Sequence, residues 1–149
     1  MMIFQPPLRA ISVVLAAMPL TVPAFAGEMV AGPVEARVVR VIDGDTFVAE
    51  AHVWPGHTIT VSVRIRGVDA PELRSRCDVE KAAATQSRTA LEEMIQGATV
   101  RIYNISGDKY FGRVLADVTT AEEHPLADDL LERALVRAYA GGRRDSYCG

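Results

Sequence analysis

The sequence predicts a mainly β fold with α-helices, a single five-stranded Greek-key barrel that carries two helices. Five short segments rich in β-branched residues are separated by turns containing glycine, proline or aspartate, which is the pattern of strands and hairpins. A stretch with helical spacing of apolar residues separates the third segment from the fourth, and another follows the fifth. At 149 residues, the chain has room for one domain of ordinary size and not for two.

The five predicted strands are short and bounded by turn-forming residues. They comprise residues 34–42, 46–53, 58–66, 99–105 and 113–119. The apolar side chains that we expect on the buried face of the third strand are Ile59, Val61, Val63 and Ile65. Arg64 alternates with them and should therefore point away from the core.

Two helices are predicted between and after the strands. Asp78 is the expected N-cap of a helix over residues 78–96, which Gly97 ends. A second helix is predicted over 125–139, and residues 67–76 are predicted to form a loop. Five strands with a helix between the third and the fourth are typical of a barrel of the oligonucleotide/oligosaccharide-binding (OB) type. Such a fold does not by itself fix a function.

The first 26 residues have the composition of a secretory leader. They carry one charge, Arg9, followed by an apolar run that closes in Ala-Phe-Ala at residues 24–26. This is the pattern of a cleaved signal peptide. Pro19 and Pro23 interrupt the run and argue against the alternative, a retained anchor, since a membrane helix needs about 20 unbroken apolar residues.

Cleavage after the leader would leave a short linker, residues 27–33, and one domain, residues 34–149. We expect the product to be exported to a periplasm or the medium, without stable membrane association, and to be a monomer. The mature chain would carry 15 basic and 19 acidic residues, a net charge of −4. Nucleic-acid-binding proteins usually show a basic face. Binding of nucleic acid would therefore depend on a local cluster formed by Arg64, Arg66, Arg74 and Arg76.

Two cysteines, Cys77 and Cys148, are the only ones in the chain. An even number of cysteines in an exported protein favours a disulfide over two unrelated thiols. Closing a loop of about 70 residues would stabilise the fold by on the order of 4 kcal/mol in the chain-entropy model. The bridge would also fix a glycine-rich tail.

Charged residues interrupt the strand pattern at three places: residues 42–46, 64–72 and 110–113. Asp45 and Asp69 each lie at a strand end, and two carboxylates with carbonyl oxygens and water suit a calcium ion. Taken alone, the Asp-Gly pair that precedes Asp45 is more often an ordinary hairpin turn. Magnesium is a weaker candidate because it demands a stricter octahedron and retains its water.

Glu72 and two arginines could supply the remaining chemistry of phosphate-ester cleavage. Glu72 follows Asp69 by three residues, close enough to a metal to act as a general base without being a ligand. Arg64 and Arg113 each offer a planar fork of donors that matches two phosphate oxygens. Alternatively, the glutamate is simply solvated and the arginines only favour solubility.

The three segments together resemble the staphylococcal nuclease, or thermonuclease, family. The matching motifs are Ile-Asp-Gly-Asp-Thr at 42–46, Val-Arg-Ile-Arg-Gly-Val-Asp-Ala-Pro-Glu at 63–72 and Asp-Lys-Tyr-Phe-Gly-Arg at 108–113. They occur in the family's order and spacing, and the resemblance covers roughly residues 34–139. It implies an OB-fold barrel with helices and the hydrolysis of DNA and RNA, single-stranded or frayed in preference, to products with a 3′-phosphate.

The resemblance also implies roles for individual residues. One calcium ion would be held by the carboxylates of Asp45 and Asp69 and by the backbone carbonyl of Ala70. Glu72 would be the base that acts through water, and Arg64 and Arg113 would bind the phosphate. Weaker substrate contacts are expected from Lys109, Tyr110 and Tyr139, the tyrosines by stacking on a base. For Tyr139, packing at a helix end is the favoured alternative.

Three departures from the family pattern affect these expectations. Ala70 replaces a threonine, which should leave the carbonyl ligand in place at a modest cost. Phe111 lengthens the loop before Arg113 by one residue, which changes the aim of that arginine. A third helix found in longer relatives is missing before Gly149, and we expect the Cys77–Cys148 bridge to replace its packing.

Two other functions compete with that of an enzyme. The first is an OB-type module that binds nucleic acid without cutting it, and the second is a structural protein of the cell envelope. A domain that had lost catalysis should lack the base or one arginine, whereas this chain keeps all five side chains. The sequence therefore favours a metal-dependent phosphodiester hydrolase.

Overall fold

The structure, a computed structural model, describes residues 1–2 and 27–149. Nearly all of the leader, together with its cleavage site, lies outside the described residues, so these two expectations remain predictions. Within the described part of the chain, no helix is long and apolar enough to cross a membrane.

The described chain forms eight strands and two helices. The strands are β1 (Met29–Val30), β2 (Val34–Asp43), β3 (Thr46–Trp54), β4 (His57–Ile65), β5 (Val68–Asp69), β6 (Thr99–Gly107), β7 (Arg113–Thr119) and β8 (Arg137–Ala138). The helices are α1 (Asp78–Ile95) and α2 (Leu126–Glu132). The five longest strands coincide with the five predicted strands to within two residues at each end.

Five of the strands close into a barrel. β2, β3 and β4 form an antiparallel meander, β7 pairs in parallel with β4, and β6 closes the circle by pairing antiparallel with both β7 and β2. Outside the barrel, β1 extends the sheet at β6, and β5 pairs with β8. The predicted five-stranded OB-type barrel with two helices is therefore confirmed.

The barrel interior and the inner faces of the helices share one apolar core. The largest of its fully buried apolar side chains are Phe47, Ile65, Leu91, Ile95, Ile102, Leu126 and Leu130. Strand residues alternate between this core and the outside, as the period of two requires. Arg64 lies between buried Val63 and Ile65 and points to the other side, as predicted.

The alternation in β4 does not hold over its whole length. Ile59 is half exposed, although the sequence pattern predicts it on the buried face. It pairs with Ala51 in the outer part of the β3–β4 hairpin, near exposed Trp54, where the hairpin projects past the core. The hydrophobic alternation therefore continues for some residues beyond the packed part of the strand.

The second helix is shorter than predicted. α2 ends at Glu132, and Ala134 adopts a left-handed conformation with φ of 54°. The Ala134 amide donates to Leu131 O and the Leu135 amide to Leu130 O, which ends the helix. The chain then returns as β8 alongside β5, so the prediction of helix up to residue 139 is wrong, as is that of loop throughout 67–76.

Candidate functional site

Asp45 is fixed at the turn between β2 and β3. Its side chain is buried, its Oδ1 accepts a hydrogen bond from Thr46 Oγ1 at 2.7 Å, and its Oδ2 accepts one from the Ala70 amide at 2.8 Å. Gly44 allows the turn to pack on α1, because a Cβ there would lie 1.7 Å from Ser87 Oγ. The turn therefore needs a glycine for space, and it places the carboxylate beside the segment that carries Asp69.

Arg64 joins the two aspartates. Its Nη1 lies 3.5 Å from Asp45 Oδ2, and its Nη2 lies 3.3 Å from Asp69 Oδ1 and 3.3 Å from Val68 O. The strand pairing sets this position, since the Ile65 amide donates to Asp45 O across β3 and β4. The structure thus brings together two buried carboxylates and one guanidinium that are up to 24 positions apart in the sequence.

The corner combines a carboxyl group of raised pKa with three further oxygen donors. Burial and the neighbouring charge of Asp45 raise the pKa of Asp43 to about 6. The two carboxylates of Asp45 and Asp69 and the carbonyl of Ala70 are also hard oxygen donors. This donor set fits a calcium ion.

Arg113 lies at the start of β7, the strand that pairs with β4, where Arg113 is the partner of Ser62. Its Nε forms an ion pair with Asp108, and its guanidinium lies 4.5 Å from the centre of the Tyr110 ring. Burial raises the pKa of Asp108, but the hydrogen bond from Arg113 and its charge outweigh this effect. The pKa therefore lies below its ordinary value, and the carboxyl stays ionised. The longer loop therefore holds Arg113 between an aspartate and an aromatic ring instead of leaving it free in solvent.

One open cleft of about 1310 Å³ contains all the predicted site residues. Those that line it are Asp45, Arg64, Asp69, Ala70, Glu72, Lys109, Tyr110, Arg113 and Tyr139. The Lys109 Nζ lies 5.0 Å from the centre of the Tyr110 ring. Tyr139 lies beyond the end of α2, with its ring 5.9 Å from the Arg64 guanidinium, so a role in packing at a helix end is wrong.

Glu72 is the most accessible acid of the site. Its side chain is 62% exposed, and its carboxylate forms an ion pair with Arg144. The Glu72 amide donates to Glu80 Oε1 at 3.0 Å, which fixes the backbone of the loop against α1. A carboxylate on a fixed backbone, open to solvent beside two buried aspartates, is suitably placed to activate water.

Arg144 is a site residue that sequence reasoning missed. It belongs to residues 141–149, which we term the C-terminal strap. Its Nε donates to Asp69 Oδ2 at 2.6 Å, and its Nη2 donates to Ala70 O at 2.7 Å and to Glu80 Oε1 at 2.9 Å. A single guanidinium thus binds two predicted calcium ligands as well as the predicted base.

The strap is anchored by the residues that follow Arg144 in the sequence. Cys148 forms a disulfide with Cys77, which confirms the predicted bridge, with the two Cα atoms 6.0 Å apart. The Tyr147 hydroxyl donates to Asp69 O at 2.7 Å, and Arg137 Nη1 donates to Ser146 O at 2.9 Å. The position of Arg144 therefore follows from where its neighbours attach.

Glu80 completes the attachment of the strap. It is buried in the first turn of α1 and accepts hydrogen bonds from Ser75 Oγ at 2.5 Å and from Arg144. Burial raises the pKa of Glu80, but these bonds, one from the Glu72 amide and the charge of Arg144 outweigh it, so the pKa lies below its ordinary value. A charged residue on the buried face of a helix was the signal in the sequence that could have indicated a basic partner.

The barrel and its cleft, with two buried carboxylates, an exposed carboxylate and two arginines, define the chain as a nuclease-like OB-fold domain. A family model described as Staphylococcal nuclease homologue matches residues 62–147, more than half of the chain. The chain therefore belongs to the staphylococcal nuclease homologue family. The matched range includes Arg64, Asp69, Glu72, Arg113 and Arg144, and Asp45 precedes it. No curated protein matches the chain.

Proposed function

We propose that the protein is a calcium-dependent nuclease that hydrolyses phosphodiester bonds of DNA and RNA and leaves a 3′-phosphate. The observation that carries this proposal is the convergence of Asp45, Asp69, Glu72, Arg64 and Arg113 on one open cleft. The family relationship supports nuclease chemistry at that cleft. The metal and the role of each residue are supported by the chemistry of the side chains, and the 3′-phosphate product is what the resemblance to the family implies.

Asp45, Asp69 and the carbonyl of Ala70 would hold the calcium ion. When bound, the ion would supply positive charge next to the phosphate that is attacked. The rigidity of this corner favours such a role, because the two carboxylates are buried and already fixed by Arg64, Thr46 and the Ala70 amide. Little rearrangement would then be needed when substrate arrives.

The protein's own side chains would perform the proton transfer and bind the phosphate. Glu72 would take a proton from the attacking water, which its exposure allows. Arg64 and Arg113 would donate to phosphate oxygens, where negative charge builds up during the reaction. The ion pair with Asp108 uses the Nε of Arg113, so its two Nη groups would remain available to phosphate oxygens.

The substrate would be a single-stranded or frayed nucleic acid. The open cleft has Tyr110 and Tyr139 in its lining, and flexible unpaired bases can stack on such rings. Lys109 would add a phosphate contact beside Tyr110. The net charge, −3 for the full chain and −4 without the leader that carries Arg9, gives no general attraction for nucleic acid, so we expect weak capture that is sensitive to salt. The disulfide supports work in an oxidising compartment after export. We expect the protein to act as a monomer.

A first test is the release of acid-soluble nucleotide from denatured DNA and from RNA by the oxidised protein. We expect release with calcium and none with a chelator. Glu72→Gln should lower the rate by at least roughly a hundredfold, the usual contribution of a general base. Glu93→Gln, an exposed acid on α1 outside the cleft, is the matched control and should retain full activity.

The same assay tests the competing function. If the folded, oxidised protein binds DNA but releases no nucleotide under any of these conditions, it is a non-catalytic OB-type binding module. If release occurs at an equal rate in the chelator, the proposed calcium dependence is wrong.

A further inference from the structure

We infer that Arg144 is a positioning residue of the active site: a built-in counter-ion that holds the calcium ligands and the base in place and lowers the affinity for calcium. The inference rests on the proposed function. It concerns a residue on the C-terminal strap, outside the strands and loops that carry the five proposed catalytic and ligand side chains.

The first argument is the overlap between the contacts of Arg144 and the proposed calcium ligands. Asp69 Oδ2 and Ala70 O accept hydrogen bonds from Arg144 at 2.6 and 2.7 Å. These atoms belong to two of the three residues that would bind the ion. A calcium ion and a guanidinium that share these oxygen atoms repel each other at short range. Arg144 must therefore turn away when the ion binds, or remain and weaken its binding.

The second argument is charge balance around the strap. The guanidinium of Arg144 contacts the carboxylates of Asp69, Glu72 and Glu80. Of these, Asp69 and Glu80 are buried, and a buried carboxylate without a partner is costly. Before calcium binds, Arg144 supplies a positive charge in direct contact with all three carboxylates and holds them together. The site is thus preorganised by the protein itself.

The third argument is the tether. Cys148, four positions after Arg144, is covalently joined to Cys77 at the start of α1. Tyr147 adds a hydrogen bond to Asp69 O, and its ring lies 5.5 Å from the Arg144 guanidinium. A short covalent tether keeps the effective concentration of a charged group high at its target. Arg144 thus competes with calcium most strongly while the disulfide is intact.

The test is calcium binding to the oxidised protein without substrate, measured by isothermal titration calorimetry. We expect Arg144→Gln to bind calcium roughly tenfold or more tightly than Arg143→Gln, because only the first variant removes a charge at the ligands. Arg143 is exposed and, in the described part of the chain, forms no ion pair, so it matches the change in net charge. Arg144→Lys should stay near the wild-type affinity, since it keeps the charge.

A second measurement tests the tether. The variant with Cys77→Ser and Cys148→Ser should also bind calcium more tightly, and adding Arg144→Gln to it should have a smaller effect than in the oxidised protein. Circular dichroism would verify that each variant is folded.

Equal or weaker calcium binding by Arg144→Gln, compared with Arg143→Gln, would overturn the inference and leave the proposed nuclease intact. If no variant binds calcium while the wild-type protein still cuts DNA in a chelator, the calcium site itself fails, and the inference fails with it. These two failures are distinct, because only the first occurs with measurable calcium binding.

Discussion

Two parts of the molecule contact the carboxylates of Asp45 and Asp69: the barrel wall, which carries Arg64, and the strap wall, which carries Arg144 and Tyr147. The two walls differ in how they are held in place. Asp45 and Arg64 are at the ends of paired barrel strands, where backbone hydrogen bonds and the apolar core fix them. Arg144 and Tyr147 lie on a strap without regular structure, fixed by side-chain hydrogen bonds and one disulfide. The barrel wall depends on the folding of the whole domain, whereas the strap wall depends on a few contacts and on oxidation.

This difference suggests a division of labour. Asp45 and the two phosphate-binding arginines are on the rigid barrel wall, as catalytic geometry requires. Asp69, on β5 outside the barrel, contacts both walls through Arg64 and Arg144. The counter-ion is on the wall that can be released without unfolding the barrel. Changes in the strap should therefore alter calcium binding and the free energy of unfolding while the barrel keeps its structure. Changes at the β2–β3 turn should instead disturb the structure of the barrel itself.

The largest expected effect on stability comes from breaking the disulfide. Replacing both cysteines, Cys77→Ser with Cys148→Ser, should lower the free energy of unfolding by about 4 kcal/mol in the chain-entropy model. Urea denaturation would measure this loss. In the variant without the disulfide, limited trypsin digestion should cut first at Arg143 or Arg144 and leave the barrel resistant. If the strap is equally protected with and without the bridge, the proposed difference between the walls is wrong.

A smaller loss is expected at the turn of the barrel wall. In Gly44→Ala, the new Cβ would lie 1.7 Å from Ser87 Oγ and 2.8 Å from Ser87 Cβ. Such overpacking costs roughly 1–3 kcal/mol and should displace Asp45, so both stability and nuclease rate should fall. Gly107→Ala is the control, because its added Cβ meets no atom within 4 Å. Thermal denaturation of both variants would compare them, and equal melting temperatures would show that the turn can adapt.

The next effect concerns pH and the attachment of the strap. Because the folded protein holds the pKa of Glu80 below 4.5, its charge stabilises the fold at neutral pH, and this contribution is lost as the pH falls through the lower folded value. Glu80→Gln should cost about 1–2 kcal/mol at pH 7. The gap from the wild-type protein should close in acid. Urea denaturation from pH 7 to 3 would measure this difference in the free energy of unfolding, with Glu93→Gln as the control. A difference that stays constant with pH would show that the charge of Glu80 does not contribute.

The smallest effect is expected at Ser87. Its side chain is fully buried on α1, and its Oγ has no hydrogen-bond partner among the described residues. Removing an unsatisfied hydroxyl sacrifices no bond, so Ser87→Ala should change stability by less than about 0.5 kcal/mol in either direction. A loss of more than about 1 kcal/mol in urea denaturation would indicate a bound water or another partner at this position.

The barrel wall was predictable because strand alternation and turn residues are local signals. They correctly gave the five strands, the outward direction of Arg64 and the turn at Gly44. These local signals failed where the apolar pattern continued past the end of the packed strand or of the helix. Ile59 extends an alternation past the core, and Leu135 extends a helical stripe past Ala134, whose left-handed backbone ends the helix.

The strap wall was predictable only in part. Two cysteines in a chain predicted to be exported indicated the bridge between residues 77 and 148. Its consequence, that Arg144 would be delivered to Asp69 and Glu80, depends on contacts across more than 60 positions that no periodicity reveals. A charge at position 80 within an apolar helix face indicated that a partner was needed, without indicating which one.

The measurement that tests the central claim most directly is the analysis of products from a 5′-labelled single-stranded oligonucleotide, cut by the oxidised protein in calcium. The account predicts fragments with a 3′-phosphate, which phosphatase treatment shifts on a sequencing gel. It also predicts that cutting falls by at least roughly a hundredfold in Asp45→Asn. Fragments with a 3′-hydroxyl, or undiminished cutting by Asp45→Asn, would contradict the assignment of this cleft as the nuclease site.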